Sequence, residues 1–235
     1  MTRLLLLSNS TEHGRGYLDH AMPDIRDFLG PVRRVVFVPF ALRDREAYTA
    51  KVRTRFEPEG IAVHGLRPEG SESAVVETAE AVFVGGGNTF RLLDTLQRTG
   101  MLEAVRRRAR AGAPYLGASA GTNIAAPTIK TTNDMPIVQP ASFDALGLVP
   151  FQINPHYVDA DPSSRHMGET REERLREFLE ENDAVVVGLR EGAWLRVEER
   201  RARLGGLRGA RIFRRDRDPE EVAPGATLDG LLRHH

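Results

Sequence analysis

The sequence predicts an α/β protein in which a mainly parallel sheet is flanked by helices. Two observations lead to this prediction. Short apolar segments bounded by turn residues alternate along the chain with longer amphipathic segments. The apolar segments are short and partly β-branched, as strands buried on both faces are. At 235 residues, without an internal repeat or a linker, the chain is expected to form a single domain over residues 1–235.

The elements follow one another in a regular order. Each predicted strand is a short apolar run between turn residues, and each predicted helix has its apolar residues on one face, as Leu92, Leu93 and Leu96 do. The predicted strands are residues 4–7, 35–38, 61–63, 82–84, 115–116 and 185–187. The predicted helices are residues 17–29, 46–56, 89–99, 102–111 and 171–181.

The C-terminal tail has a different pattern. Residues 194–197, 202–204 and 211–213 are apolar, short and close together, with Gly205, Gly206 and Gly209 between them as turns. This spacing predicts a small antiparallel β region, formed as one meander, at the C-terminal end of the domain.

The composition excludes several classes of protein. The 33 basic and 33 acidic residues give a formal net charge of zero, whereas nonspecific nucleic-acid binding needs excess positive charge. The absence of cysteine excludes disulfides, iron–sulfur clusters and a cysteine nucleophile. The apolar run at residues 4–7 is too short for a secretory or membrane-spanning segment. We therefore expect a cytoplasmic protein without nucleic-acid or membrane partners.

The best candidate for chemistry is Ser119, in the sequence Gly-Ala-Ser-Ala-Gly. This segment follows a predicted strand and precedes residues that can begin a helix. Gly-x-Ser-x-Gly in that context is typical of a nucleophile elbow, because small neighbours let the backbone turn sharply. Such a turn exposes the Ser119 hydroxyl and directs the N–H of Ala120 to the same point. A glycine-rich turn that serves packing alone is the alternative.

A serine nucleophile needs a base, and His156 is the best placed of the seven histidines. It follows an apolar stretch, residues 146–151, and the pair Asn-Pro before it predicts a turn at the end of a strand. Catalytic loops of α/β sheets lie at such ends. The other histidines stand in polar surroundings or at the C terminus: His13, His20, His64, His166, His234 and His235.

The base in turn needs a carboxylate that orients the imidazole. Asp134 lies in a polar loop between the serine and the histidine, and Glu191 follows the predicted strand at residues 185–187. An Asx turn ahead of Pro136 and an exposed turn are the structural alternatives for these two residues. The pattern by itself leaves the choice between them open.

A glycine-rich segment, residues 85–89, connects a predicted strand to a predicted helix. Its three glycines allow close approach of the backbone to a ligand, and the helix N-terminus favours negative charge. The segment can therefore supply the second N–H donor of an oxyanion hole. It is also the only support for a nucleotide-binding protein, but it lacks the spacing G-x-G-x-x-G and the lysine of a P-loop.

Several segments together resemble the peptidase E family, the α-aspartyl dipeptidases among the S51 serine peptidases, which also include cyanophycinase. The resemblance runs from the first strand to the C-terminal sheet, and its Asn-Asp-Met-Pro and Asn-Pro-His sequences are more specific than the elbow pattern. The matching segments are residues 5–11, 84–90, 119–121, 131–138, 152–156 and 168–172.

The resemblance implies a fold like that of the class I glutamine amidotransferases and hydrolysis of dipeptides with an N-terminal aspartate. Ser119 matches the family's nucleophile and His156 its base. Asp134 matches the residue usually named as the third member of the relay, and Glu191 matches a glutamate also proposed for that role. Because this chain has no cysteine, a glutaminase of the amidotransferase type is excluded.

Two further matches concern the oxyanion and the shape of the pocket. Gly87 and Ala120 match the family's oxyanion donors. Ala118 departs from the family, since related enzymes often carry a bulkier residue there, commonly an aromatic one. We expect that this difference changes the pocket beside the nucleophile and so the strictness of dipeptide selection.

Arg171 is the expected binding residue for the aspartyl side chain. A guanidinium binds a carboxylate with two parallel hydrogen bonds. Thr170 and Glu173 have the spacing of a capping box, which would fix Arg171 at the first position of a helix. A cation there is unfavourable with respect to the helix dipole, and a role in binding would explain its presence.

The sequence leaves three functions open. They are a serine dipeptidase for N-terminal aspartate, a related S51 hydrolase of broader or different specificity (a cyanophycinase-like enzyme or a short-peptide peptidase), and a non-catalytic binding relative. The expected partner is a small peptide, and a homodimer is the assembly considered. The chemistry needs no metal and no other cofactor, and no metal-ligand motif is evident.

Overall fold

A computed structural model describes residues 2–69, 72–160, 163 and 168–233. In this part of the chain the strands are β1 (Arg3–Leu7), β2 (Arg34–Val38), β3 (Ala62–Gly65), β4 (Ala81–Val84), β5 (Tyr115–Ala118), β6 (Gln152–Tyr157), β7 (Val186–Arg190), β8 (Ala193–Glu198), β9 (Arg201–Gly206), β10 (Ala210–Phe213) and β11 (Glu220–Val222). The α-helices are α1 (Met22–Leu29), α2 (Arg45–Phe56), α3 (Ser73–Glu77), α4 (Thr89–Arg98), α5 (Met101–Arg110), α6 (Ala120–Asn123) and α7 (Arg171–Glu181).

The larger sheet has the strand order β3-β2-β4-β5-β1-β8-β9. Its first five strands pair in parallel, and β8 and β9 add an antiparallel edge. Because side chains alternate along a strand, Leu4 and Leu6 enter one core, which α4 and α5 cover, while Leu5 and Leu7 enter another, which α1 and α2 cover. The predicted mainly parallel sheet flanked by helices is confirmed.

The smaller sheet has the order β11-β10-β7-β6. Strand β7 pairs in parallel with β6 and antiparallel with β10. The predicted strand at residues 185–187 therefore belongs to this second sheet. The prediction of one C-terminal meander is wrong in its pairing, because β8 and β9 extend the larger sheet and β10 and β11 complete the smaller one.

The physical reason for this division lies in β8. Leu195 and Val197 face the core under α4 and α5, whereas Trp194 faces the core under α1 and α2. A strand buried on both faces is stable inside a sheet that has both faces covered, and not in a free meander. Gly205 and Gly206, predicted as a turn, are the last residues of β9.

Three other elements differ from the sequence predictions. The helix predicted at residues 17–29 begins only at Met22, with Pro23 in its first turn, where proline is well tolerated. Helix α3 was not predicted. Strand β6 lies at residues 152–157, so the Asn-Pro pair predicted as a turn at a strand end lies inside the strand. The polar Asn154 is tolerated in the buried strand because its side chain donates a hydrogen bond to Thr131 O (2.8 Å).

The carboxyl ends of neighbouring parallel strands meet at one edge of the larger sheet, where α/β proteins bind ligands. Ser8 follows β1, the glycine-rich segment follows β4, and Ser119 follows β5. Among the described residues, no helix is long and apolar enough to cross a membrane.

Candidate active site

The Ser119 elbow lies between β5 and α6. Ser119 has a φ of +54°, a conformation that side chains other than glycine rarely adopt, and its N–H donates to Leu7 O at 3.1 Å. The two flanking glycines have no room for a side chain. A Cβ on Gly117 would lie 2.6 Å from Gly121 O, and one on Gly121 would lie 2.1 Å from Val84 O. The turn is therefore strained and requires small neighbours, as the Gly-x-Ser-x-Gly pattern indicates.

We expect Gly121→Ala to lower the free energy of unfolding by about 3 kcal/mol or more, since the added methyl group would meet a backbone carbonyl that cannot move freely. Urea denaturation followed by circular dichroism measures this change. The matched control is Gly230→Ala, where a Cβ meets no atom within 4 Å and the expected change is within about 0.5 kcal/mol. An equal effect of both substitutions would contradict the close packing described for the elbow.

The glycine-rich segment at residues 85–89 lies beside the elbow. A Cβ on Gly86 would lie 3.0 Å from the Ser119 Cβ, so the absence of a side chain permits this approach. Gly87 has a φ of +129°, and a Cβ there would lie 2.7 Å from Ala41 O. Within the described part of the chain, the N–H groups of Gly87 and Ala120 have no hydrogen-bond acceptor. Both are thus available to a ligand at Ser119.

His156 lies in β6, where the pairing with β7 shifts register between Pro155 and Tyr157. This bulge, with a φ of +54° at His156, turns the imidazole towards the elbow. The His156 N–H donates to Ser8 Oγ at 2.9 Å, and that hydroxyl donates to Leu189 O at 2.7 Å. The His156 Nε2 lies 2.8 Å from Ser119 Oγ, within the range of a hydrogen bond between a base and a nucleophile.

The carboxylate beside His156 is Glu191, whose Oε1 lies 2.7 Å from His156 Nδ1. Its backbone is fixed from two sides. The N–H of the next residue, Gly192, donates to Asn9 Oδ1 at 2.8 Å, and Arg208 donates to Glu191 O at 2.8 Å. The structure therefore brings together Ser119, His156 and Glu191.

A buried carboxylate supports this arrangement from behind. Glu12 accepts hydrogen bonds from Asn9 Nδ2 (2.7 Å) and Arg208 Nη1 (2.9 Å). Burial by itself would raise the pKa of Glu12, but these hydrogen bonds and the Arg208 charge bring the pKa below its usual value. Glu12 thus orients Asn9 and Arg208, the two side chains that hold the backbone at Glu191 and Gly192.

Asp134 has different partners. Its Oδ2 accepts hydrogen bonds from Thr89 N (2.7 Å) and Thr89 Oγ1 (2.6 Å), at the start of α4. A carboxylate there is stabilised by the free N–H groups and the dipole of the helix. In the described structure Asp134 makes no hydrogen bond with His156, so of the two carboxylates predicted for the relay it is Glu191 that contacts the imidazole.

Arg171 is the first residue of α7, as predicted, and the capping box is formed: Glu173 N donates to Thr170 Oγ1 (3.1 Å) and Thr170 N to Glu173 Oε2 (2.6 Å). Partial burial lowers the pKa of the Arg171 guanidinium, and the nearby Asp134 carboxylate acts in the opposite direction. The guanidinium is thus within electrostatic reach of Asp134. Within the described residues, the side chain of Arg171 has neither a hydrogen bond nor an ion pair.

An open cleft of about 750 Å³ contains Ser119, His156 and Asp134. Arg171 is not among its lining residues, and neither is Ala118, which is fully buried in the core beneath α1 and α2. The described residues contain no group of three or more His, Asp or Glu side chains that could hold a metal ion. The other lining residues are Ser10, Tyr17, Leu42, Arg43, Asp44, Ala47, Tyr48, Lys51, Gly86 and Gly87.

Three residues around the site, Ser8, Asn9 and Tyr48, are not among the residues predicted from the sequence, although the first two lie in a segment that resembles the family. Ser8 and Asn9 directly follow the buried strand β1, and polar residues at the end of a parallel strand are a signal that could have identified them. Tyr48 gave no such signal, because it lies inside an amphipathic helix. Of the remaining histidines, His166, His234 and His235 lie outside the described residues.

A serine, an imidazole and a carboxylate in a hydrogen-bonded series, beside two free N–H groups at the edge of an α/β sheet, are typical of a serine hydrolase. The sequence model of peptidase family S51 matches residues 4–205. The chain belongs to this family.

The similarity of the chain to individual proteins supports this family assignment. The chain is 62% identical to peptidase E of Streptomyces coelicolor over 97% of this chain and 94% of that protein. It is 49% identical to a probable alpha-aspartyl dipeptidase of Drosophila melanogaster, over 98% of this chain and 97% of that protein. A solved peptidase from an acI-B1 actinobacterium shares the fold, with a TM-score of 0.73 at 15% identity over 97% of this chain and 96% of that one. The predicted S51 family and the predicted class of enzyme, a peptidase, are confirmed.

Proposed function

We propose that this S51 peptidase is a serine dipeptidase that hydrolyses the peptide bond after an N-terminal aspartate. The observation that carries the proposal is the series Glu191–His156–Ser119, with contacts of 2.7 Å and 2.8 Å. The name of the Drosophila relative supports the choice of substrate. A cleft of about 750 Å³ is of the size that binds small molecules such as a dipeptide.

In the first half of the reaction, the Ser119 hydroxyl attacks the carbonyl carbon of the N-terminal aspartyl residue. His156 Nε2 takes the hydroxyl proton as the new C–O bond forms. The carbonyl oxygen becomes an oxyanion that accepts hydrogen bonds from the N–H groups of Gly87 and Ala120. His156 then donates the proton to the leaving amine, the C–N bond breaks, and an aspartyl ester of Ser119 remains.

In the second half, water replaces the leaving amine. His156 takes a proton from the water as its oxygen attacks the ester carbonyl, and the same two N–H groups stabilise the second oxyanion. The C–O bond to Ser119 breaks, the proton returns from His156 to the Ser119 oxygen, and aspartate leaves. Glu191 stabilises the imidazolium in both halves and holds Nδ1–H towards itself.

We assign recognition of the aspartyl side chain to Arg171, as expected from the sequence. Three observations support this assignment. The capping box fixes the backbone of Arg171, and its guanidinium has no partner in the described part of the chain. The charge of Asp134, which lines the cleft, acts to raise the pKa of the guanidinium. A cytoplasmic location, a homodimer and one catalytic domain over residues 1–235 stay predictions.

The test compares wild type and Arg171→Ala on three substrates: Asp-Leu, Ala-Leu and β-Asp-Arg. We expect the wild type to prefer Asp-Leu, and Arg171→Ala to lower kcat/KM for Asp-Leu by about 10²-fold, because a charge-assisted hydrogen-bonded pair contributes roughly 1.5–3 kcal/mol. The value for Ala-Leu should change little. Initial rates measured by release of the C-terminal amino acid, leucine or arginine, provide kcat and KM.

The matched control is Arg174→Ala, on the same helix, where the arginine pairs with Glu169 at 3.4 Å and should not affect substrate choice. A wild type that cleaves Ala-Leu or β-Asp-Arg better than Asp-Leu would contradict the α-aspartyl specificity. An Arg171→Ala variant that keeps the full preference for Asp-Leu would contradict the role of Arg171 alone.

A further inference from the structure

The backbone N–H groups of residues 85–89 have an ordered set of partners. Four of these N–H groups donate hydrogen bonds. Their acceptors are a carbonyl of the neighbouring strand β2, a side chain of α2, a carbonyl in the turn after β2, and the carboxylate of Asp134. Within the described residues, the N–H of Gly87 is the exception and has no acceptor. The four hydrogen bonds are Gly85 N to Val38 O (3.2 Å), Gly86 N to Tyr48 Oη (2.9 Å), Asn88 N to Ala41 O (3.0 Å) and Thr89 N to Asp134 Oδ2 (2.7 Å).

Three consecutive glycines do not hold a fixed conformation by themselves, because glycine populates both signs of φ at little cost. The peptide group between Gly86 and Gly87 can therefore rotate unless its neighbours are anchored. The anchors are the N–H of Gly86 on one side and the N–H of Asn88 on the other. The N–H of Asn88 is held by a backbone carbonyl, Ala41 O, whereas the N–H of Gly86 is held by a side chain, that of Tyr48.

The packing around Tyr48 holds its hydroxyl in place as the acceptor of the Gly86 N–H. Its side chain is buried, its ring packs edge-on against Phe37 at 5.0 Å, and its hydroxyl also accepts a hydrogen bond from Tyr17 Oη at 3.4 Å. Burial raises the pKa of both tyrosines, so both hydroxyls are neutral at physiological pH. A Cβ on Gly85 would lie 2.6 Å from Tyr48 Oη, which shows how closely the hydroxyl packs against the segment.

We propose that Tyr48 is a positioning residue of the oxyanion hole: by accepting the Gly86 N–H, it holds the Gly86–Gly87 peptide so that the Gly87 N–H points at the reacting carbonyl oxygen. This inference rests on the proposed function, since it assumes acyl transfer at Ser119. Tyr48 acts through the backbone and takes no part in proton transfer.

The loss of the Tyr48 anchor is expected to affect kcat rather than KM, because the oxyanion forms only during the reaction. Negative charge on the carbonyl oxygen develops only in the transition state and the tetrahedral intermediate, so a misplaced donor lowers kcat and leaves substrate binding nearly unchanged. Removal of an entire oxyanion donor costs roughly 10²–10³-fold in kcat. Loss of the anchor, with the donor still present, should cost less.

The experiment compares Tyr48→Phe with Tyr17→Phe, two substitutions that each remove one hydroxyl from the same buried pair. We expect Tyr48→Phe to lower kcat for Asp-Leu by about 10- to 100-fold with KM within about twofold. Tyr17→Phe should lower kcat by a smaller factor than Tyr48→Phe, because the Tyr17 hydroxyl contacts Tyr48 in the same cleft but does not reach Gly86. The pH profile of kcat should keep its shape in both variants, since the contact between His156 and Glu191 is untouched.

A second measurement uses the boronic acid analogue of aspartate, whose tetrahedral adduct with a serine places an oxygen in the oxyanion hole. Its affinity should fall in Tyr48→Phe by the same factor as kcat, while the affinity of free aspartate is unchanged. Melting temperatures show whether the variants are folded at the assay temperature. If Tyr48→Phe is unfolded at the assay temperature, the same constants are measured below its melting temperature, where the selective loss of kcat is expected.

Three results would overturn the inference: a kcat of Tyr48→Phe within twofold of wild type, an equal loss in Tyr17→Phe, or a loss confined to KM. The activity of the wild type on Asp-Leu distinguishes failure of this inference from failure of the proposed function. No hydrolysis of Asp-Leu by the wild type contradicts the function and, with it, the inference. Hydrolysis by the wild type together with an unaffected Tyr48→Phe overturns the role of Tyr48 alone.

Discussion

Replacement of Ser119 by alanine is expected to lower kcat/KM for Asp-Leu by roughly 10⁴- to 10⁶-fold, because the variant has no atom that can form the ester. The oxyanion donors and the cleft remain, so a small residual rate above the uncatalysed reaction should persist. Initial rates at high enzyme concentration measure it. Mass spectrometry of an acid-quenched reaction should detect an aspartyl adduct on the wild type and none on the variant.

The control for this substitution is Ser10→Ala. Ser10 lines the same cleft, and in the described structure its hydroxyl makes no hydrogen bond to His156. Its removal should change kcat/KM by less than about threefold. If Ser119→Ala keeps wild-type activity, or if the two variants lose activity equally, Ser119 is not the nucleophile and the acyl-enzyme mechanism is wrong.

Glu191→Gln is expected to lower kcat by about 10²- to 10⁴-fold. The amide has the size of the carboxylate but no charge to stabilise the imidazolium, and it can favour the wrong tautomer of His156. Because the side chains of Glu191 and His156 are 49% and 38% exposed, water compensates part of the lost charge, and we expect a value near the lower end of that range. KM should change little, since Glu191 does not touch the substrate in the proposed mechanism.

Asp134→Asn is the matched comparison, since it makes the same chemical change in the other predicted carboxylate. Its amide oxygen can still accept the Thr89 N–H, so the start of α4 should keep its position. We expect a loss in kcat of at most about tenfold. A larger loss in Asp134→Asn than in Glu191→Gln would show that the imidazole is oriented by Asp134 during catalysis and would contradict the series Glu191–His156–Ser119.

The elbow illustrates what short-range sequence can predict. Ser119 and its small neighbours lie within a few residues, and their strained turn depends on steric contacts that the same segment makes with itself. A Cβ on Gly117, for example, would lie 2.6 Å from Gly121 O. For the same reason the capping box of Thr170 and Glu173 was predictable from three-residue spacing.

His156 marks the limit of such reasoning. Its selection as the base depended on a turn expected at Asn-Pro, but the structure places it within β6 at a bulge against β7. The bulge results from pairing with a strand that lies some thirty residues further along the chain, and no local pattern contains that information.

The sequence by itself determined the α/β class, the alternation of strands and helices, the serine at the elbow and, through several matching segments, the family. These features depend on hydrophobic periodicity and on turns, which are local. Only the tertiary structure decided that Glu191 rather than Asp134 contacts His156, and that Tyr48 anchors the glycine-rich segment. Those contacts join residues 35 and 38 positions apart, and their geometry depends on how strands and helices pack rather than on the residues beside them.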